Sequence, residues 1–167
     1  GGLAYDLRTQ CLVLEELSKF EMATSGMVAA ASTHARVIHM TGTEQQKQKF
    51  YSKLIDERCL SCFSMTEPGA GSDAGGMQAR AVPEGDNYII NGRKCFATNG
   101  AVSGLYLIFA STDPEKRTRG ISAFIVEPDM PGFHVGKTEN KMGTRAINVA
   151  ELVLEDLCVP RENLLGE

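Results

Sequence analysis

The sequence predicts an α+β fold, in which a helical segment is followed by an antiparallel β-barrel-like domain. In the first third of the 167 residues, apolar side chains recur at three- and four-residue steps, which is typical of amphipathic helices. After Cys59 the apolar segments become short and alternating and are separated by glycine and proline. Several such segments without helices between them indicate an antiparallel barrel or sandwich. We place the boundary near residue 58, so that residues 1–58 are helical and residues 59–167 form the β domain.

Three helices are predicted in the first segment. The first covers residues 3–21, where leucines are spaced along one face. The second covers about residues 24–40 and is rich in small side chains at residues 29–32, which favours close packing against a neighbour. The third begins after Thr43, because Thr43 and Gln46 match a capping box.

The β domain is predicted to contain seven strands separated by turns. The predicted strands are residues 60–65, 78–82, 87–90, 94–98, 104–110, 121–126 and 150–154. Asn91-Gly92 is the strongest hairpin signal, because a type I′ turn needs positive φ at both central positions. Residues 84–87 predict a second tight connection, residues 114–119 a charged exposed loop, and Pro131-Gly132 a further turn.

The composition is that of a soluble globular protein and excludes several classes of function. The formal net charge of −4 gives no electrostatic reason to expect nucleic acid or an anionic membrane as a partner. The longest apolar run, residues 105–110, is far too short to span a bilayer. Five cysteines without framework spacing are typical of reduced thiols inside a cell. Because the chain has neither an initiator methionine nor a secretory signal, we expect a fragment of an intracellular protein.

One glycine-rich loop is the first candidate site. Residues 65–73, with the sequence MTEPGAGSD, follow a predicted strand, and Pro68 and the glycines prevent its continuation. Successive N–H groups in such a loop can converge on an anionic or carbonyl-rich ligand, while Thr66 and Ser72 offer hydroxyls. By composition alone, an ordinary Gly/Pro turn explains the loop equally well.

A second predicted strand end, KCFATNG at residues 94–100, has the same combination of residue types as the first. Each carries one aromatic and one threonine, namely Phe63 with Thr66 and Phe96 with Thr98. Taken separately, these are ordinary core and strand-end residues. Taken together, they can hold a flat heteroaromatic ring by its face and its polar edge.

Other motifs are rejected on structural grounds. GAGSDA at residues 69–74 fits a dinucleotide fingerprint, but β-hairpins follow it where a helix would be required. Cys59 and Cys62 form a single C-x-x-C without a second pair, and the three histidines are too scattered for a metal site. No G-x-S-x-G motif occurs. Glu67 and Asp73 are candidates for an acid/base pair, but we favour carboxylates that hold the loop through N–H bonds and salt bridges.

The residues of both loops lie in motifs in which the chain resembles the acyl-CoA dehydrogenase family. In family order the motifs are FSMTEPGAGSD at 63–73, INGRKCFATNG at 90–100, GISAFIVE at 120–127, KMGTR at 141–145 and VPRENLLG at 159–166. EEL at 15–17 and GTEQQK at 42–47 extend the resemblance into the helical segment. It therefore covers essentially the whole chain.

The resemblance implies a fragment of an FAD-dependent flavoprotein oxidoreductase of fatty acid metabolism. Residues 1–58 would be the C-terminal part of an N-terminal α-helical domain, and residues 59–167 the middle β-barrel domain that binds flavin and acyl-CoA. The family's C-terminal four-helix domain is missing. The implied reaction is α,β-dehydrogenation of an acyl-CoA thioester, in which a carboxylate removes the α-proton and the β-hydrogen leaves as a hydride to flavin N5.

The resemblance also implies roles for individual residues. The cofactor-binding positions are Phe63, Met65, Thr66, Gly71, Ser72, Phe96, Ala97 and Thr98. Thr66 would bond the pyrimidine side of the isoalloxazine, Thr98 would bond near N5, and Phe96 would cover a ring face where the family often has the larger tryptophan. Ser72 is the implied direct contact to substrate. Residues 29–32 lie where the family walls its acyl pocket.

No catalytic residue is assigned to this chain, because the family's base is a glutamate of the C-terminal domain. We therefore expect the isolated chain to be inactive. The implied partners are acyl-CoA, an electron-transfer flavoprotein as acceptor and further copies in a tetramer, in a bacterial cytoplasm or a mitochondrial matrix. An acyl-CoA oxidase or other flavoenzyme on the same scaffold, and a non-catalytic acyl-CoA-binding module, remain alternatives from the sequence. Acyl chain length stays open.

Overall fold

The computed structural model of the protein describes residues 6–166, which form three α-helices and one mostly antiparallel β-sheet. The helices are α1 (Leu7–Ser18), α2 (Met22–Thr41) and α3 (Glu44–Ile55). The strands are β1 (Ser61–Ser64), β2 (Arg80–Glu84), β3 (Asn87–Thr98), β4 (Leu105–Ser111), β5 (Ile121–Val126), β6 (Phe133–Thr138), β7 (Val149–Pro160) and β8 (Leu164–Leu165). The α+β fold class is thereby confirmed.

The helices begin where side chains satisfy free backbone N–H groups. Asp6 precedes α1 and its carboxylate accepts the Thr9 N–H at 2.8 Å. The predicted capping box of α3 is confirmed, since Thr43 Oγ1 accepts the Gln46 N–H and Gln46 Oε1 accepts the Thr43 N–H. The predicted start of the first helix at residue 3 lies outside the described residues. In the part of the chain from residue 6 to 166, no helix is long and apolar enough to cross a bilayer.

The sheet has the strand order β6-β7-β3-β2-β4-β5-β8, and β1 also pairs with β4. The pairings of β4 with β1 and β2 are parallel, and the remaining pairings are antiparallel. Within the described residues β6 and β8 do not pair with each other. The sheet is therefore not closed into a full barrel.

Strand β4 is buried on both faces. Leu105 and Leu107 pack with Ile38 of α2 and Phe50 of α3, whereas Tyr106 points to the core on the opposite side of the sheet. A strand between two apolar layers carries few polar residues, which explains the uninterrupted apolar run. β4 thus joins the helical layer to the sheet.

The turn predicted at Asn91-Gly92 is wrong. β3 runs without a break through both residues, and its register against β7 shifts at this point, as in a β-bulge. A Cβ added to Gly92 would lie 2.6 Å from the Cβ of Ala79, so the close approach of the neighbouring segment requires glycine. The hairpin between β2 and β3 instead turns at Gly85-Asp86, within the second predicted connection, where Gly85 has φ of +56°.

Candidate functional site

The two predicted loops lie side by side. The Cys95 N–H, near the end of β3, donates to the carbonyl of Thr66 in the loop after β1 at 2.9 Å. Thr66 and Thr98 are both half-buried. Within residues 6–166, no hydrogen bond uses the hydroxyl of either threonine. The structure thus brings two unused hydroxyls to adjoining strand ends.

Phe96 lies on a second β-bulge of β3. Between the pairs Lys94–Leu152 and Ala97–Ala150, β3 has one residue more than β7. Phe96 has φ of +56°, which is uncommon for a bulky side chain, and it is 66% exposed. The bulge therefore turns an aromatic ring out of the sheet.

Phe63 and Met65 lie just before Thr66 in the chain, at the end of β1 and directly after it. The ring of Phe63 stands between those of His34 in α2 and Phe109 in β4, with centroid distances of 6.0 and 4.7 Å. Met65 and Phe109 line a groove of about 400 Å³ whose other wall is the start of β5. Both predicted residues are half-buried, so part of each side chain remains accessible.

The other predicted residues differ in what they can offer a ligand. Gly71 and Ser72 are exposed, and nothing lies within 4 Å of a Cβ added to Gly71, whose φ is not positive. Neither packing nor backbone geometry within residues 6–166 explains glycine at this position. The methyl group of Ala97 is buried in the core, so only the backbone of Ala97 can meet a ligand.

Glu67 holds the first loop from inside. It is 5% exposed, and its two carboxylate oxygens accept the N–H groups of Gln78 at 2.6 Å and Ala79 at 3.0 Å. The Lys94 ammonium, which is fully buried, donates to the same carboxylate at 2.7 Å and to the Met65 carbonyl at 3.3 Å. Desolvation lowers the pKa of Lys94, although the hydrogen bond to Glu67 and its charge act in the opposite direction.

The geometry favours a structural role for both loop carboxylates. Asp73 is exposed and lies 3.4 Å from Arg117, in a salt bridge at the surface. Lys94 is a site residue that sequence patterns alone did not distinguish. The available signal was its inward position on a strand whose other inward residues are apolar, since a lysine is almost never fully buried without a partner.

Two side chains from the rejected motifs, His34 and Cys62, are buried. Burial lowers the pKa of His34 to about 4, and His34 Nδ1 lies 2.6 Å from Ser61 Oγ. Burial raises the pKa of the Cys62 thiol to about 12, which makes it a poor nucleophile. Among residues 6–166, no three histidine, cysteine or acidic residues are grouped closely enough to bind a metal ion. A short 3₁₀ turn at Ala74–Gly76 and then β2 follow the GAGSDA motif, which agrees with the rejection of a dinucleotide fold.

One small residue of α2, Gly26, allows close packing of the helix against Ile147. A Cβ on Gly26 would lie 2.8 Å from Cδ1 of Ile147, which is buried under the helix. Ala29 and Ala30, one turn further, are half-buried, while Ala31 and Ser32 are exposed. The role of residues 29–32 as the wall of an acyl pocket stays a prediction.

Comparison with known proteins identifies relatives along the whole chain. The model of the family described as "Acyl-CoA dehydrogenase, middle domain" matches residues 62–157, and that of "Acyl-CoA dehydrogenase, N-terminal domain" matches residues 1–58. A short-chain specific acyl-CoA dehydrogenase of Clostridium acetobutylicum is 46% identical over 100% of this chain and 44% of the relative. The chain thus spans less than half the length of the relatives it matches.

Two solved structures share the fold. One, described as an electron transferring flavoprotein of Acidaminococcus fermentans in a study of flavin-based electron bifurcation, has a TM-score of 0.95 and 46% identity over 100% of this chain and 44% of its own. The other, a glutaryl-CoA dehydrogenase of Mycobacterium smegmatis in complex with FADH2, has a TM-score of 0.77 and 33% identity over 85% of this chain and 36% of its own.

Proposed function

The chain belongs to the acyl-CoA dehydrogenase family, and on this premise we propose that it forms the cofactor-facing part of an FAD-dependent acyl-CoA dehydrogenase. The observation that carries the proposal is the hydrogen bond from Cys95 to Thr66, which joins the two strand ends. Because of this bond, the unused hydroxyls of Thr66 and Thr98 and the exposed ring of Phe96 lie on adjoining segments. A flat ring with polar edges and apolar faces, such as an isoalloxazine, is complementary to that set.

The predicted residues of the two loops are proposed to make specific contacts with the flavin ring. Phe96 covers one face of the ring, and Thr66 and Thr98 bond its polar edge. Phe63 and Met65 support the ring from behind. The open space at Gly71 admits the close approach of cofactor or substrate, since a side chain there would intrude on it. These contacts orient the ring and keep water from one side of it.

FAD, when bound, supplies the acceptor for the hydride that leaves the β-carbon of an acyl-CoA thioester. The α-proton must go to a base, and Glu67 is not suited to that task. Its carboxylate is buried and already accepts bonds from two backbone N–H groups and from Lys94. As the family resemblance implies, we assign the base to a glutamate outside this chain.

The domain assignment and the partners are part of the same proposal. We assign residues 1–58 to the N-terminal helical domain and residues 59–167 to the middle domain. The exposed hydroxyl of Ser72 is assigned to the acyl-CoA substrate. The relative with 46% identity is named short-chain specific, which favours a compact acyl group. An electron-transferring flavoprotein is the proposed acceptor.

The proposal is tested by removing the two hydroxyls from the full-length protein that contains this chain. Because two hydrogen bonds of about 1 kcal/mol each are lost, Thr66→Val with Thr98→Val should weaken FAD binding about 30-fold. The matched control is Thr138→Val on the exposed strand β6, which should leave FAD affinity unchanged. Reconstitution of the apoprotein with FAD measures both, and equal affinity of parent and double variant would refute the assignment. Peroxide release in place of reduction of an electron-transferring flavoprotein would favour an oxidase.

A further inference from the structure

The buried pair Glu67–Lys94 requires an explanation beyond stability. Lys94 is 0% and Glu67 5% exposed, so both charges are withdrawn from water. Desolvation of two charges is costly, and apolar residues of similar volume often stabilise a core as well as a buried ion pair does. A buried pair is therefore weak evidence for stabilisation and better evidence for a required geometry.

The hydrogen bonds of the pair converge from separate parts of the chain. The Glu67 carboxylate binds the backbone of Gln78 and Ala79 at the entrance to β2, and it binds the side chain of Lys94 in β3. Lys94 in turn donates to the carbonyl of Met65. One ion pair thus joins the first loop, the lead-in to β2 and the strand that carries the second loop.

The pair also lies directly beside the residues of the proposed site. Glu67 follows Thr66 in the chain, and Lys94 is the last residue before the bulge that contains Cys95 and Phe96. The Cys95–Thr66 hydrogen bond therefore adjoins both charged residues. A change in the Glu67–Lys94 distance must displace Thr66 relative to the bulge.

We propose that Glu67 and Lys94 are positioning residues, whose buried ion pair sets the placement of Thr66 relative to Phe96 without contacting the cofactor. For its effect on cofactor and reaction this inference rests on the proposed function. Its geometric part does not. A displacement of about 1 Å in an active site can cost about 100-fold in rate. The pair therefore affects FAD retention and turnover through Thr66 and Cys95, which are its neighbours in the chain.

The neighbouring residue on β3 provides a matched control. Arg93, which is exposed, forms a salt bridge with the half-buried Glu151 of β7 at 3.2 Å. Arg93→Met and Lys94→Met each remove one cation from the same strand and leave its carboxylate partner in place. Water can still reach the Glu151 carboxylate after this change, whereas Glu67 would remain buried and without its counter-ion.

The experiment compares these two variants in the full-length protein. The first measurement is amide hydrogen exchange at Cys95, which reports the bond to Thr66 and needs no bound cofactor. Lys94→Met should raise the exchange rate of Cys95 at least tenfold and weaken FAD retention at least tenfold, with a lower kcat and a KM for acyl-CoA within about threefold. Arg93→Met should match the parent in all four values.

A second variant keeps the inference testable if Lys94→Met does not fold. In Glu67→Gln with Lys94→Gln both charges are removed, and the single amide oxygen at residue 67 can keep only one of the two bonds from the Gln78 and Ala79 N–H groups. Cys95 protection should therefore lie between that of Arg93→Met and full exchange. Unchanged Cys95 exchange in Lys94→Met, or in the double variant where only that folds, would overturn the inference. If the parent binds no FAD but Lys94→Met still exposes Cys95, the proposed function fails and the positioning role stands.

Discussion

Replacement of Phe96 should weaken cofactor binding, and alanine and glycine at this position should differ in stability. The side chain is 66% exposed, so about 130 Å² of a roughly 200 Å² phenylalanine surface is free. If a flavin covers one face, about half of that area is buried, and at about 25 cal/mol per Å² the contact contributes about 1.6 kcal/mol. Phe96→Ala and Phe96→Gly should therefore each weaken FAD binding about 15-fold.

The two variants should differ in stability because Phe96 has φ of +56°. Alanine retains the strain of the left-handed conformation, which costs about 1–2 kcal/mol, whereas glycine does not. Glycine also increases the entropy of the unfolded chain, which offsets about 0.4–1 kcal/mol of that gain. The free energy of unfolding of Phe96→Gly should exceed that of Phe96→Ala by about 0.5–1 kcal/mol.

Urea denaturation of the apoprotein and titration with FAD measure the two effects separately. Phe20→Ala is the control, because Phe20 is 91% exposed and lies in the turn between α1 and α2. It should change neither value. Glycine less stable than alanine at residue 96 would refute the argument from strain. FAD affinity equal to that of the parent would refute the assignment of Phe96 to a flavin face.

Three further predictions concern acid stability, packing and activity. Burial lowers the pKa of His34 from 6.5 to about 4, so the unfolded state binds a proton more readily than the folded state. The free energy of unfolding should therefore fall by about 3 kcal/mol between pH 6.5 and 4. Denaturation of His34→Gln should show a weaker dependence of stability on pH, and a dependence identical to that of the parent would contradict this account. Gly92→Ala should lower the free energy of unfolding by about 3 kcal/mol, since the new Cβ would lie 2.6 Å from that of Ala79. Gly85→Ala, where φ is +56° but the space is open, should lower it by about 1 kcal/mol. Equal losses of stability in thermal melts would show that the close contact at Gly92 is absent. The isolated 167-residue chain should have no acyl-CoA dehydrogenase activity, because the base is assigned to a glutamate outside it and Glu67 is already bonded to Lys94. Turnover of any acyl-CoA with an electron acceptor would contradict that assignment.

Features set by neighbours in the sequence could be predicted from the sequence. The capping box of Thr43 and Gln46 and the turn at Gly85-Asp86 depend on side chains and φ angles within a few residues. The predicted strand at residues 121–126 coincides with β5, where turn signals bound a run that is apolar except at Ser122. The two candidate loops were also found in this way, because each combines a strand end with an aromatic residue and a threonine.

Features that depend on distant segments were not predictable from local patterns. β6 lies at the edge of the sheet and is mostly exposed, so its sequence lacks the apolar alternation of a half-buried strand, and pairing with β7 defines it. The parallel pairing of β1 with β4 joins residues about forty positions apart, which no periodicity encodes.

Local sequence patterns were enough to predict three helices, most of the strands, the turn at Gly85-Asp86 and the residue types of the two candidate loops. Tertiary structure alone decided that Asn91-Gly92 lies within a strand, because the approach of Ala79 requires glycine there. It also decided that Lys94 is a buried partner of Glu67, 27 residues away, and that a bulge exposes Phe96 beside Thr66. Local propensity acts over a few residues, whereas burial, ion pairing and register depend on which distant segments the folded chain places in contact.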